Sequence, residues 1–106
     1  MSVIIDSNFD EEKAIWYLKL KGEIDIYTSN IFKDELQKLT SSEESVDIHI
    51  DASELEYIDS TGLGVLIGAL KRLKSKDKDI YIKNTKPNVK KIFSITGLDK
   101  IFKLEG

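Results

Sequence analysis

The chain has 106 residues, 16 Lys and Arg against 19 Asp and Glu, and a formal charge of -3; folding at this length removes roughly two-thirds of the unfolded surface from water, enough for one core. With 41% hydrophobic and 33% charged residues, six Gly and one Pro, the composition excludes a disordered or fibrous chain. Cysteine is absent, which excludes disulfide frameworks, thiolate catalysis and Cys-ligated zinc and suits a reducing, cytoplasmic setting.

Val3 to Ile5 and Ala14 to Leu20 are β-rich runs separated by the acidic segment Asn8 to Lys13, a pattern that predicts an antiparallel hairpin. In the second run Trp16, Leu18 and Leu20 share one face and Tyr17, Lys19 and Lys21 the other. Thr28 is placed to cap a helix ending near Thr40, in which Phe32, Leu36 and Leu39, with Ile31, form an apolar stripe. The polar run Ser41 to Ser45 leads into a strand at Val46 to Asp51, where Val46, Ile48 and Ile50 alternate with Asp47, His49 and Asp51. A second helix is expected from Asp59 or Ser60 to about Ser75, because Leu63, Leu66, Ile67, Leu70 and Leu73 recur at helical spacing. Asp79 to Asn84 reads as a strand with Ile80 and Ile82 opposite Tyr81 and Lys83. Pro87 opens a third helix carrying Val89, Ile92 and Phe93, Gly97 ends it in a left-handed cap, and Ile101 to Leu104 forms a last strand.

Strands separated by helices pair in parallel through right-handed crossovers. A sheet covered on both faces needs strands that are apolar on both sides, whereas the period of two here leaves each middle strand a polar face. The order ββαβαβαβ therefore predicts one two-layer α/β domain spanning residues 1–106. Its sheet is mixed and mainly parallel, with an N-terminal antiparallel hairpin and with helices mainly on one face. The longest apolar stretch, Leu63 to Leu70, falls far short of the roughly twenty residues that span a bilayer. Asp6, Asp10, Glu11 and Glu12 stand where a signal peptide would carry a basic start and an apolar run, so neither membrane nor secretion is expected.

The charge is unevenly divided. Residues 1 to 60 hold 15 acids and 5 bases, and residues 61 to 106 hold 4 acids and 11 bases. Lys71, Arg72, Lys74 and Lys76 near the end of a helix oppose its dipole, which accounts for much of this. The asymmetry also provides an acidic face suited to a basic protein partner. The bases lack aromatic interleaving and the net charge repels phosphate, so nucleic acid is not an expected partner.

The most informative segment is Ile58-Asp59-Ser60-Thr61-Gly62-Leu63-Gly64, where a strand gives way to the most hydrophobic helix. Ser60 or Asp59 can cap the first free amides, and the same amide-rich start tolerates a phosphate on Ser60. Gly62 and Gly64 either let another protein approach or allow tight packing on the sheet, and Gly68 reads as packing alone. No Lys follows these glycines as a P-loop requires, and the hydrolase elbow G-x-S-x-G is absent. His49 shares a strand face with Asp47 and Asp51, but one His is too few for a transition-metal site; it reads as solvated or partner-facing, and Asp51 as a loop or turn residue. Gly22-Glu23-Ile24-Asp25-Ile26-Tyr27-Thr28 lies likewise between a strand end and a helix start, so Glu23 or Asp25 is expected near Ser60; these acids also serve to satisfy local amides.

At these segments the sequence resembles the STAS-domain family of bacterial anti-sigma factor antagonists, nearly end to end. The resemblance rests on Gly22-Glu23-Ile24-Asp25 with Thr28, on Asp59-Ser60-Thr61-Gly62-Leu63-Gly64, and on Pro87-x-Val89-Lys90-x-x-Phe93 followed by Thr96-Gly97-Leu98. It implies a non-enzymatic binding module, without metal or cofactor, whose unphosphorylated form binds an anti-sigma factor that is also a serine kinase and so releases the sigma factor. By the same resemblance Ser60 is the phosphorylated residue, phosphorylation ends the binding, and a metal-dependent phosphatase of the PP2C type restores it. Glu23, Asp25, Thr28, Asp59, Ser60, Thr61, Gly62 and Gly64 are placed in or beside the contact surface. Relatives commonly carry a further helix after the last strand, which Glu105-Gly106 does not supply, so a more open helix edge or sheet face is expected. His49 stands where relatives usually have an aliphatic residue.

Two rival readings follow from the same residues. One is a STAS subunit of a larger signalling or transport assembly, indifferent to the state of Ser60. The other is an aspartyl-phosphate receiver using Asp51 or Asp59, which lacks the adjacent acidic pair such proteins need at the end of the first parallel strand. No nucleophile, base and orienting partner assemble from this sequence into a catalytic set.

Overall fold

The computed structural model describes residues 2–41 and 46–105. In chain order the elements are β1 (Val3–Asp10), β2 (Ile15–Ile24), α1 (Ser29–Thr40), β3 (Asp47–Ile58), α2 (Ser60–Lys74), β4 (Ile80–Lys83), α3 (Pro87–Ile95) and β5 (Lys103–Glu105), with a 3-10 turn at Leu98–Lys100. The strands lie side by side in sequence order; β1 and β2 are antiparallel and every other pair is parallel. From residue 42, the polar connection expected up to Ser45 lies outside the described residues.

The alternation along the strands sorts the two faces as expected. Leu18, Leu20, Ile48, Ile50, Ile80 and Ile82 are buried under the helices, where they meet Phe32 and Leu36 of α1, Leu66 and Leu73 of α2, and Val89 and Phe93 of α3. The other face carries Tyr17, His49 and Tyr81 in one cross-strand row and Lys19, Asp51 and Lys83 in the next. The His49 ring lies between the tyrosines in tilted contact with both, with centroids 5.5 Å from Tyr17 and 4.5 Å from Tyr81. It is half-buried, and its Nδ1 has no hydrogen-bond partner among the described residues.

The hairpin runs further than the propensities suggest. Asp6 to Asp10 pair with Lys19 to Ile15, so the turn shrinks to Glu11–Ala14, where Ala14 takes a φ of +55°. β3 is also longer. Between Lys19 and Lys21 of β2 it advances from Asp51 to Glu54, and between Gly22 and Glu23 from Leu55 to Tyr57, so it carries two bulges. Asp51 is therefore a strand residue rather than a loop residue; its Oδ1 accepts from the Ser53 amide at 2.9 Å and so supports the first bulge. Ile31, assigned to the apolar stripe of α1, is turned outward and 56% exposed. The cap of α3 is as expected, with Gly97 at a φ of +75°.

Candidate functional site

Two strand ends build the site. β2 and β3 run parallel and finish together, Glu23 beside Tyr57 and Ile24 beside Ile58, and the Asp59 amide donates to the Ile24 carbonyl at 3.0 Å. The chain thus delivers the 25–28 loop and the start of α2 to the same edge of the sheet, where parallel α/β domains place their ligands. Glu23 and Asp25 thus flank the Ile24 carbonyl that receives the Asp59 amide, at the edge where Ser60 begins α2.

Asp59 caps α2. Its Oδ1 accepts from the amides of Thr61 at 2.9 Å and Gly62 at 3.2 Å and from the Thr61 hydroxyl, while its carbonyl accepts from the Leu63 amide. The Thr61 hydroxyl, helped by the amides of Gly62, Thr61 and Ile26, holds the Asp59 carboxyl below the usual aspartate value, against the opposing effect of burial. Ser60 occupies the first helical position and is exposed, and its hydroxyl makes no hydrogen bond among the described residues. The division of labour left open by the sequence is settled here: Asp59 caps, and Ser60 is spare.

The second segment works inward. Asp25 and Thr28 are 5% and 3% exposed. The Asp25 amide donates to the Thr28 hydroxyl at 2.9 Å, that hydroxyl donates to the Glu23 carbonyl at 2.8 Å, and Asp25 Oδ1 accepts from the Tyr27 amide at 2.9 Å. Thr28 stands at the cap position of α1, but its side chain makes no capping bond because the loop has already engaged it. Asp25 and Thr28 accordingly hold the shape of the loop and leave its surface to Ile26 and Tyr27, which are 66% and 79% exposed. With Ile31 and Tyr57 these form the apolar part of this edge, which sequence reasoning missed. A signal was available in Ile26 and Tyr27, apolar residues in a loop that belong to no buried stripe.

The glycines divide. A Cβ on Gly62 would lie 2.6 Å from Ile24 Cγ2 and 2.7 Å from Ile58 Cγ1, so this glycine serves the packing of α2 on the sheet. A Cβ on Gly64 would meet nothing within 4 Å, and one on Gly68 would reach only Arg72 Nη1 at 3.6 Å, so Gly68 is not a packing glycine as the sequence suggested. Gly64 and Gly68 instead line a groove of about 240 Å³ with Lys33, Thr61, Val65 and Arg72. From α3, the Lys86 ammonium pairs with Glu56 at 2.6 Å and the Asn88 side chain donates to the Glu56 carbonyl at 2.8 Å, tying the third motif to the end of β3. Among the described residues no set of three or more His, Asp or Glu side chains is arranged to hold a metal, and no helix is long and apolar enough to cross a membrane.

A two-layer α/β domain with a capped helix start presenting a serine defines the class, and the chain belongs to the STAS-domain family, whose model matches residues 7–106. It is similar to the anti-sigma-B factor antagonist of Staphylococcus epidermidis, at 37% identity over 81 residues, 76% of this chain and 74% of that protein. In fold it is similar to the anti-sigma factor antagonist SpoIIAA in its unphosphorylated form, with a TM-score of 0.75 and 16% identity, over 97% of this chain and 87% of that one. The phosphorylated form of SpoIIAA, the Bacillus cell fate determinant, superposes with a TM-score of 0.74 and 18% identity over 95% and 90% of the two chains.

Proposed function

We propose that the protein is an anti-sigma factor antagonist. Its unphosphorylated form binds an anti-sigma factor that is also a serine kinase, and phosphorylation of Ser60 ends that binding. The supporting observation is the exposed, unbonded Ser60 hydroxyl beside a helix cap supplied by its neighbour Asp59. A phosphate added there leaves the cap bonds in place and lies where helix amides favour an anion, so the fold accepts it. The interface does not. A group of charge near -2 beside the ionised Asp59 adds repulsion and a desolvation cost where a second protein must sit. In this reading the domain is a regulator without catalysis of its own, works in the cytoplasm, and is reset by a PP2C-type phosphatase. Glu23, Thr61, Gly64 and the exposed loop residues contact the partner, and Asp25, Thr28 and Gly62 position them.

The test is to incubate the domain with a purified anti-sigma factor kinase and ATP, locate the phosphate by mass spectrometry, and measure the affinity of Ser60→Ala and Ser60→Asp. The alanine variant is expected to bind and resist phosphorylation, and the aspartate variant to bind at least about tenfold more weakly. Equal affinities overturn the switch, and stable assembly that ignores Ser60 turns the reading toward a subunit of a larger assembly. Acid-labile phosphate on Asp51 or Asp59 makes it a receiver.

A further inference from the structure

The C-terminal half of α2 and the 3-10 turn after α3 border a shallow, open groove of about 480 Å³, lined by Leu70, Lys71, Lys74, Lys100 and Ile101. It begins ten residues beyond Ser60, about 15 Å along the helix axis, and so is a separate surface from the switch. Its apolar floor is formed by Leu70 and by Ile101, which is 45% exposed. Three ammonium groups from two elements converge on it. Lys74 is bound to Asp79 at 2.7 Å, and Asp79 also lies 3.9 Å from Lys103, so that carboxylate is shared. Among the described residues no ion pair engages Lys71 or Lys100. The dipole of α2 accounts for Lys71 and Lys74 in its last turn, but not for Lys100, which approaches from another element.

We infer that this groove docks an acidic amphipathic segment of a partner protein, with one or two aliphatic side chains on Leu70 and Ile101 and carboxylates on Lys71 and Lys100. Charge complementarity selects this occupant: residues 61 to 106 carry 11 bases and 4 acids, and an apolar floor with unpaired ammonium groups at its rim fits a segment of the inverse pattern. An anionic bilayer is a poorer match, because a chain of net charge -3 offers it only a narrow basic strip and a single exposed aliphatic anchor. Nucleic acid would want exposed aromatic side chains among the lysines, and the groove has none.

The probe is a synthetic helical peptide with Leu on one face and Glu on the others, titrated into the full chain and followed by backbone amide chemical shifts. Shifts confined to residues 70–74 and 98–102 are expected, with affinity falling severalfold between about 50 and 300 mM salt. Lys71→Glu with Lys100→Glu should weaken binding about tenfold or more, Ile101→Ser should do so without altering charge, and Ser60→Asp should leave it unchanged. The parent spectrum of each variant reports its fold. The inference is overturned if a peptide with Lys in place of Glu binds equally well, if shifts scatter over distant lysines, if no shift develops, or if phosphatidylglycerol vesicles retain the protein while the acidic peptide does not.

Discussion

Replacing Gly62 and Gly64 by alanine, one at a time, separates packing from exposure on two positions of the same helix. At Gly62 the new methyl would stand 2.6 Å from Ile24 Cγ2 and 2.7 Å from Ile58 Cγ1, about an ångström inside ordinary carbon contact. Both isoleucines are fully buried, lie on paired central strands and are stiff at χ1, so neither can turn aside. Overpacking of this kind costs about 1–3 kcal/mol, and the helix-propensity gain of at most about 1 kcal/mol is reduced in a first turn already held by a cap. A net loss of about 1–2 kcal/mol is expected for Gly62→Ala. At Gly64 no atom lies within 4 Å, so only the propensity term acts and the alanine should gain about 0.5–1 kcal/mol. The variants should therefore differ by about 2 kcal/mol, or roughly 8–16 °C in melting temperature for a domain of this size. Urea unfolding with an unchanged slope would measure it. If Gly62→Ala proves as stable as Gly64→Ala, then α2 can lift from the sheet and the packing role assigned to Gly62 is wrong.

Asp59→Ala removes the α2 cap and should cost about 1 kcal/mol at neutral pH. Because the folded-state value of Asp59 is depressed, its stabilisation is present above the ordinary aspartate range and is lost as pH falls through the lower folded value; the acid limb of an unfolding series should be shallower in the variant. Thr28→Val keeps the shape of a buried side chain but strands the Asp25 amide, at a cost of about 2 kcal/mol, and hydrogen exchange should rise in the 25–28 loop. His49 has its folded value lowered first by burial and then by Lys83, with weaker opposition from Glu105 and Asp47. The unfolded chain therefore takes up this proton first, and stability should decline as pH falls below about 6.5. His49→Phe should flatten that slope, and an unaltered slope would refute the assignment.

Helix α2 was legible because the leucines of its apolar stripe, Leu63, Leu66, Leu70 and Leu73, are buried, with Ile67 half-buried at its edge, and its start coincides with a capping residue, so pattern and chemistry agree. The sidedness of the sheet was legible for a similar reason, since His49 and Tyr81 alternate with fully buried isoleucines and Tyr17 is followed by buried Leu18. Boundaries failed where pairing overrode local preference. Asn8 to Asp10, the first residues of the expected loop, look unlike a strand in isolation, yet each stands opposite a residue of β2, and backbone bonding holds them in the sheet. β3 was lost beyond Asp51 because its bulges replace the period of two by steps of three, from Ala52 to Leu55 and on to Ile58. Ile31 was misplaced by one position on the helix, about 100° from Phe32, which suffices to carry it from core to solvent.

The candidate site was legible in its members but not in their roles, because spacing along the chain does not say which polar atom a backbone amide will claim. Asp25 and Asp59 look equivalent in sequence, each an acid just before a helix, yet the first is buried in its own loop and the second is spread over the start of α2. The difference follows from competition for donors. Thr28, three residues past Asp25, divides its hydroxyl between the Glu23 carbonyl at 2.8 Å and Asp25 Oδ1 at 3.2 Å, so the Asp25 carboxylate leans chiefly on the Tyr27 amide at 2.9 Å; Thr61 lies two residues past Asp59 and gives that carboxylate both its amide and an undivided hydroxyl. Of the two adjacent hydroxyls at the start of α2, then, Thr61 is tied to the cap and only Ser60 stands clear of it. A modification on Ser60 meets no bond that the fold needs, whereas one on Thr61 would have to break the cap, and that asymmetry is why the proposed switch is assigned to the serine.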